Sequence, residues 1–287
     1  MRVVFLGTPT EAVPALEALV GAGHEVVTVV TRPDRRRGRG GGVEPSPVGH
    51  VAHRLGLEVV HRLAGLDATR ATLGVVVAYG ALVPAALLEQ LPMLNVHFSL
   101  LPRWRGAAPV ARAILAGDEQ TGVSIMSLEP TLDTGPVHLA RALEVGERTL
   151  SELSGELAHL GASALLEVLA DPALLAHPVP QVGETTYAEK LTPEDFHLSP
   201  ALGLSQALRV VRLERAWLEV DAERVHVLAA RPALSACASG RICAEGPVRI
   251  GLADGALELS QVRPAGRHAM TGDAWWRGRR SASWGWT

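Results

Sequence analysis

Lysine and asparagine are almost missing from these 287 residues: Lys190 is the only lysine and Asn95 the only asparagine. The remaining basic side chains are all arginine, the skew of a GC-rich genome that drains residues with AT-rich codons. An asparagine that survives such a drain marks a position where no other side chain serves. Cysteine is scarce too. Cys237 and Cys243 cannot make a disulfide framework, and with no neighbouring Cys or His pair they make a poor metal site. No apolar run approaches the roughly 20 residues that span a bilayer. Met1 to Gly7 reads as a short strand rather than a secretory segment, because Gly7, Thr8 and Pro9 end it early. These absences predict a cytoplasmic protein without a metal. The usual nucleotide fingerprints are absent as well. The first strand runs into Gly7-Thr8-Pro9 rather than G-x-G-x-x-G, and there is no G-x-x-x-x-G-K-[ST] anywhere. Gly38 and Gly40 to Gly42 supply glycines, but arginines precede them and no strand delivers them. A dinucleotide-dependent dehydrogenase is thereby excluded.

What is present belongs to a globular chain long enough for two domains, with 47% hydrophobic and 20% charged residues. The net charge of −3 argues against a nucleic-acid binder, but its distribution argues the other way. Residues 200–287 carry 12 arginines against 8 acids, net +4, whereas residues 1–199 carry 15 basic groups against 22 acids, net −7. A basic C-terminal part suggests a polyanionic partner; a solvated charged face gives the same composition.

The first half alternates strands and helices. Strands are expected over 2–7, 25–31, 75–79, 93–97 and 123–128, and a helix over 11–20 with Val13, Leu16 and Val20 on one face. This alternation predicts a parallel, doubly wound α/β sheet, closed by an amphipathic helix over 150–169. A stretch rich in Pro, Gly and Thr follows Asp171 and reads as a connection between domains. Beyond Pro200, a helix over 202–213 precedes short alternating segments that suggest a small β-barrel.

Asn95 and His97 lie two apart at the end of a predicted strand and so point to one face. In open α/β sheets, ligands bind at the carboxyl ends of strands. Asn offers an N–H donor to a developing oxyanion, and His moves a proton near neutral pH. On spacing alone such a pair is also met incidentally. The residues that follow narrow the reading. Ser99-Leu-Leu-Pro102-Arg103-Trp104-Arg105-Gly106-Ala-Ala-Pro109 is similar to the signature of the folate-dependent formyltransferases. Further blocks agree in order, among them Phe5-Leu-Gly7-Thr8-Pro9, Val75 to Gly80, Thr121-Gly122-Val123, Leu132-Asp133-Thr134-Gly135 and Thr186-Tyr187-Ala188. The resemblance covers most of residues 1–191 and extends weakly through Pro264 to Met270.

The resemblance implies a Rossmann-like parallel-sheet formyltransferase domain over 1–184, a linker over 185–199 and a small OB-like β-barrel that binds tRNA over 200–287. It implies a catalytic set of Asn95, His97 and Asp133, with Ser99, Leu100, Leu101 and Pro102 lining the folate site through backbone contacts. Without it, Asp133 on its Gly-containing turn would read as a plain turn residue. Arg35, Arg36, Arg37, Arg39 and Arg209 are the implied tRNA contacts. The implied reaction moves the formyl group of 10-formyl-tetrahydrofolate, with no metal, onto the amino group of methionyl initiator tRNA in translation initiation. The chain departs from the family at Phe98, where relatives carry Gly, at Gly40 to Gly42, where they carry lysines, and before Trp217, where Asn-Pro-Trp-Pro is absent. Two other readings stand beside this one: a formyltransferase for a small amine, and a non-catalytic nucleotide-binding module fused to an RNA-binding barrel.

Overall fold

A computed structural model of the chain describes residues 1–36, 42–279 and 285–287, with the side chains of Arg35 and Arg36 left undescribed. The continuous apolar runs of the first half become strands buried on both faces, as parallel sheets covered by helices require. Arg2–Gly7 (β1), Glu25–Val30 (β2), Val59–Val60 (β3), Leu73–Val77 (β4), Met93–His97 (β5), Gln120–Ser127 (β6) and Val137–Glu144 (β7) form one sheet. Its order is β7-β6-β5-β4-β1-β2-β3. Strands β1 to β5 are parallel, and every residue of β4 and β5 is buried.

The expectation of a parallel sheet fails for the strand expected over 123–128, since β6 runs antiparallel to β5, and β7, a strand the sequence did not show, runs antiparallel to β6. The loop 128–136 is too short for the crossover of about a dozen residues that parallel neighbours need. The helix Leu150–Ala170 buries Leu153, Leu157, Gly161, Leu165 and Val168 along one stripe. It is 21 residues long, and an 18-residue window of it has a mean hydropathy of 1.2, which length and composition alone would allow to cross a membrane, although Glu152, Glu156 and Glu167 interrupt any continuous apolar run. Its apolar stripe is spent on the core instead. Gly161 permits this close approach: a Cβ there would meet Val96 Cγ1 at 2.6 Å and Phe98 Cε1 at 3.6 Å. Phe98, the departure from the family's glycine, therefore packs beside this helix.

The chain divides into two compact units. The first comprises residues 1–110, 119–145 and 153–189; the second comprises 111–118, 146–152 and 190–287. In the second, Trp217–Val220 (β8), Glu223–Pro232 (β9), Ile242–Cys243 (β10), Arg249–Gly251 (β11), Ala256–Pro264 (β12) and Met270–Thr271 (β13) form an antiparallel sheet. Its order is β8-β9-β12-β11-β10, with β13 added on β12. Alternate side chains, among them Leu218, Val220, Val225, Val227, Leu257 and Leu259, face one core.

The C-terminal residues close this sheet into a barrel. Glu219 and Thr287 exchange backbone hydrogen bonds of 2.7 and 3.0 Å, Trp286 N–H donates to Gly240 C=O at 3.3 Å, and Gly285 bridges Arg241. The Trp286 side chain fills the barrel core. Cys237 and Cys243 form no framework, but they bond to each other, with their Cα atoms 5.9 Å apart.

Candidate active site

Strand β5 delivers Asn95 and His97 to one face, and the loop between β6 and β7 brings Asp133 to them across the intervening sequence. All three are buried. The Asn95 amide makes no hydrogen bond to any described residue, although it is only 8% exposed. The amide is not among the wholly buried orphaned groups, so it keeps an edge open to solvent beside the histidine, where a ligand could take its N–H.

The His97 ring is anchored at one nitrogen and faces a carboxylate with the other. Nε2 lies 2.9 Å from the Trp104 carbonyl, which only accepts, so Nε2 carries a hydrogen. Nδ1 faces Asp133 Oδ2 at 3.7 Å. Trp104 holds its carbonyl in place at a φ of 62°, a conformation costly for a bulky residue. It is secured there by its own N–H, which donates to Thr186 Oγ1 at 2.9 Å. The Arg103 guanidinium covers its ring at 4.4 Å.

Asp133 also sits at positive φ, 51°. Its Oδ2 accepts from Gly106 N–H at 2.8 Å. Gly135 follows where no side chain fits: a Cβ there would lie 1.9 Å from the Ser127 carbonyl oxygen. The turn that sequence alone would have explained as a plain turn therefore aims a buried carboxylate at the imidazole.

Of the expected folate segment, Ser99 is wholly buried and donates through Oγ to Arg103 C=O at 2.6 Å. Ser124 Oγ donates to Ser99 C=O at 2.8 Å and accepts from Leu101 N–H at 3.2 Å. The Leu101–Pro102 bond is cis. Among the described residues, Leu100 N–H and Leu101 C=O keep no protein partner, so one backbone donor and one acceptor stay open in this segment.

Two features escaped the sequence. Gln181 and Thr186 lie in the stretch read as a connection. They return to residues 104–105, and Tyr187–Ala188 pairs in parallel with Arg105–Gly106. Only the Thr186-Tyr187-Ala188 match hinted at this. The second feature is a row on the outer face of the barrel, where Trp217 pairs with His226 and His226 with Arg263. The Arg224 guanidinium lies 3.9 Å from the Trp217 ring centre, and the His197 ring stacks on Trp217 at 4.2 Å. Arg215 covers Phe196 at 4.6 Å. Burial first, then Arg263, Arg224 and Arg215, push the His226 imidazole below its ordinary pKa, so three guanidinium groups converge there. Among the described residues no carboxylate closes an ion pair on any of the three, although Arg224 acts on the Glu194 carboxyl through its charge and has Glu219 opposite it in register.

Of the expected tRNA contacts, Arg37 and Arg39 lie outside the described residues. Arg35 and Arg36 form a two-residue ribbon with Val43–Glu44. Arg209 folds its guanidinium over Gly117 and donates to Ala116 C=O at 3.3 Å.

Residues 1–169 match the family model for formyl transferase, and residues 200–280 match that for the formyl transferase C-terminal domain. The chain is 43% identical over 285 residues to methionyl-tRNA formyltransferase of Dinoroseobacter shibae, covering 94% of each. It is 44% identical to that of Paenarthrobacter aurescens over 299 residues, covering 97% of each. Among solved structures, the methionyl-tRNA formyltransferase from Clostridium thermocellum superposes with a TM-score of 0.55 at 16% identity, covering 81% of this chain and 94% of that one. HypX from Aquifex aeolicus in complex with tetrahydrofolic acid gives 0.67 at 18% identity, covering 97% of this chain and 47% of that one.

Proposed function

Because the chain belongs to the formyl transferase family, we infer that it transfers the formyl group of 10-formyl-tetrahydrofolate to the α-amino group of methionyl initiator tRNA. The meeting of Asn95, His97 and Asp133 at the end of β5 carries this reading at the level of chemistry. Identity of more than 40% over nearly the whole length to methionyl-tRNA formyltransferases supports the substrate.

In the reaction the amine nitrogen attacks the formyl carbon, and the carbonyl oxygen takes on negative charge. The open amide of Asn95 donates to that oxyanion, with the His97 ring beside it. The attacking nitrogen loses a proton as the bond to folate N10 breaks, and N10 gains one. His97 and Asp133 form the proton-handling pair for these transfers. Ser99 to Pro102 contact the donor through Leu100 N–H and Leu101 C=O.

The tRNA is gripped by Arg35, Arg36, Arg37, Arg39 and Arg209, and by the barrel row of Arg215, Arg224 and Arg263. The aromatic rings under Arg215 and Arg224 hold each guanidinium flat, which suits a forked contact to phosphate. The enzyme works in the cytoplasm on residues 1–184 for chemistry and 200–287 for tRNA.

The deciding experiment supplies purified protein with 10-formyl-tetrahydrofolate and either charged initiator tRNA or glycinamide ribonucleotide. Formylmethionine on the tRNA is expected. Transfer to the small amine alone would make the chain a small-amine enzyme, and transfer to neither would leave it a binding module.

A further inference from the structure

The polar contacts behind Asp133 converge on one side chain whose amide is wholly taken up by protein atoms. The Gln181 amide Nε2 donates to Asp133 C=O and to Gly135 C=O, both at 2.8 Å. Its Oε1 accepts a fork from Arg105, at 3.0 Å from Nε and 2.6 Å from Nη2. Both amide hydrogens and the carbonyl are therefore committed, and the amide can be oriented only one way: two carbonyl acceptors on one side, a guanidinium on the other. Gln181 is itself anchored two residues upstream, where Val179 exchanges backbone hydrogen bonds of 2.8 Å with Val137 at the start of β7.

Asp133 needs such support. A non-glycine residue at a φ of 51° sits in a sparsely populated region and stays there only when its surroundings over-determine it. The side-chain end is held by Gly106 N–H. The main-chain end is held by Gln181, and the residue that orients Gln181, Arg105, is the neighbour of Gly106 in the chain. One short segment thus grips the carboxylate directly and through the glutamine.

We propose that Gln181 is a positioning residue of the active site: its amide, locked by Arg105, holds the 133–135 turn so that the Asp133 carboxylate faces His97. This rests on the reading of Asp133 as part of the catalytic set. Glutamate cannot replace glutamine here, because it lacks both N–H donors and adds a second carboxylate behind the first. Asparagine is a methylene too short to reach the two carbonyls and the guanidinium at once.

The test compares Gln181→Glu, Gln181→Ala and Asp133→Asn, alone and combined. Gln181→Glu keeps the size and the acceptor for Arg105, so it leaves the Arg105 side of the clamp intact if Gln181→Ala proves unstable. A misplacement of about 1 Å at a reacting group costs up to about 10²-fold, so kcat should fall by about 10–10²-fold in both Gln181 variants. KM for 10-formyl-tetrahydrofolate and for tRNA should stay within about twofold, since the amide of Gln181 is wholly taken up by protein partners. Because Gln181 acts through Asp133, Gln181→Ala combined with Asp133→Asn should lose no more than Asp133→Asn alone. Wild-type kcat in Gln181→Glu, or losses that add in the double variant, would overturn the proposal while leaving Asp133 catalytic. A fully active Asp133→Asn would overturn both.

Discussion

The corner formed by Asn95, His97 and Asp133 and the arginine row of the barrel hold their polar groups in opposite ways. In the corner His97 Nε2 and Asp133 Oδ2 are each held by a main-chain hydrogen bond, burial is nearly complete, and two residues are kept at positive φ to aim one carbonyl and one carboxylate. In the row the guanidinium groups of Arg215, Arg224 and Arg263 are exposed, and rings rather than carboxylates hold the first two. Bond making demands a fixed geometry, and electrostatic stabilisation is worth most where water is excluded. A grip on a polyanion needs charge that is not already neutralised, and it tolerates motion. The two regions should therefore respond to different perturbations.

The largest effect separates them by rate. Asn95→Ala, His97→Ala and Asp133→Ala should each lower kcat, by about 10²–10³-fold for an oxyanion donor, while the fold survives. The losses should not add, because the three groups act on one transition state. Single-turnover formylation at saturating tRNA measures this; a variant at wild-type rate removes that residue from the mechanism.

A smaller effect should appear in the row, and it should fall on KM. Replacing Arg215, Arg224 and Arg263 with Ala should raise KM for tRNA and leave kcat and the KM for folate nearly unchanged. Each lost phosphate contact should reduce the slope of log K against log salt by roughly 0.7–0.9. The same titration applied to Arg35, Arg36 and Arg37 replaced by Ala reads the loop. An unaltered slope in either variant removes that set from the tRNA contacts.

The smallest effect is on stability. His226 is held below its ordinary pKa of 6.5 in the folded chain, first by burial and then by the three arginines. As pH falls below about 6.5 the unfolded chain takes up that proton before the folded one does. Stability from this site is thus present above that pH and lost as pH drops through the folded value. His226→Gln should flatten the dependence of the barrel's stability on pH below about 6.5. Removing the arginines should flatten it in part. Denaturant melts at several pH values decide this, and an unchanged slope in His226→Gln would assign it elsewhere.

The sequence was most legible where one segment carries its own pattern. The strand bearing Asn95 and His97 and the Ser99 to Pro109 signature are local, and the structure puts that strand end beside Asp133. Strand direction was not legible at β6, because a buried run has the same periodicity whichever way it points, and β7 was not read as a strand at all. Gln181 was hidden for a different reason. Its neighbours Val182, Gly183 and Glu184 read as connecting chain, and nothing in their spacing records that Arg105 waits 76 residues upstream. The pairing of the two cysteines was unreadable too, since two residues six apart carry no signal of bond formation.

That long reach has a consequence for the time at which the molecule becomes competent. Contacts between residues far apart in sequence form late, because the loop between them must close first. The Trp104 to Thr186 bond spans 82 residues, and the Arg105 to Gln181 fork spans 76. A chain leaving the ribosome N-terminus first, at roughly 5–20 residues per second, exposes His97 on the order of ten seconds before Gln181. Once Asp133 has followed His97 out, the nascent chain has its imidazole and its turn, but neither Gln181 nor Thr186 to steady them. A new copy of the enzyme therefore becomes active only after the chain has been read past Ala188, when the returning segment can lock the corner shut.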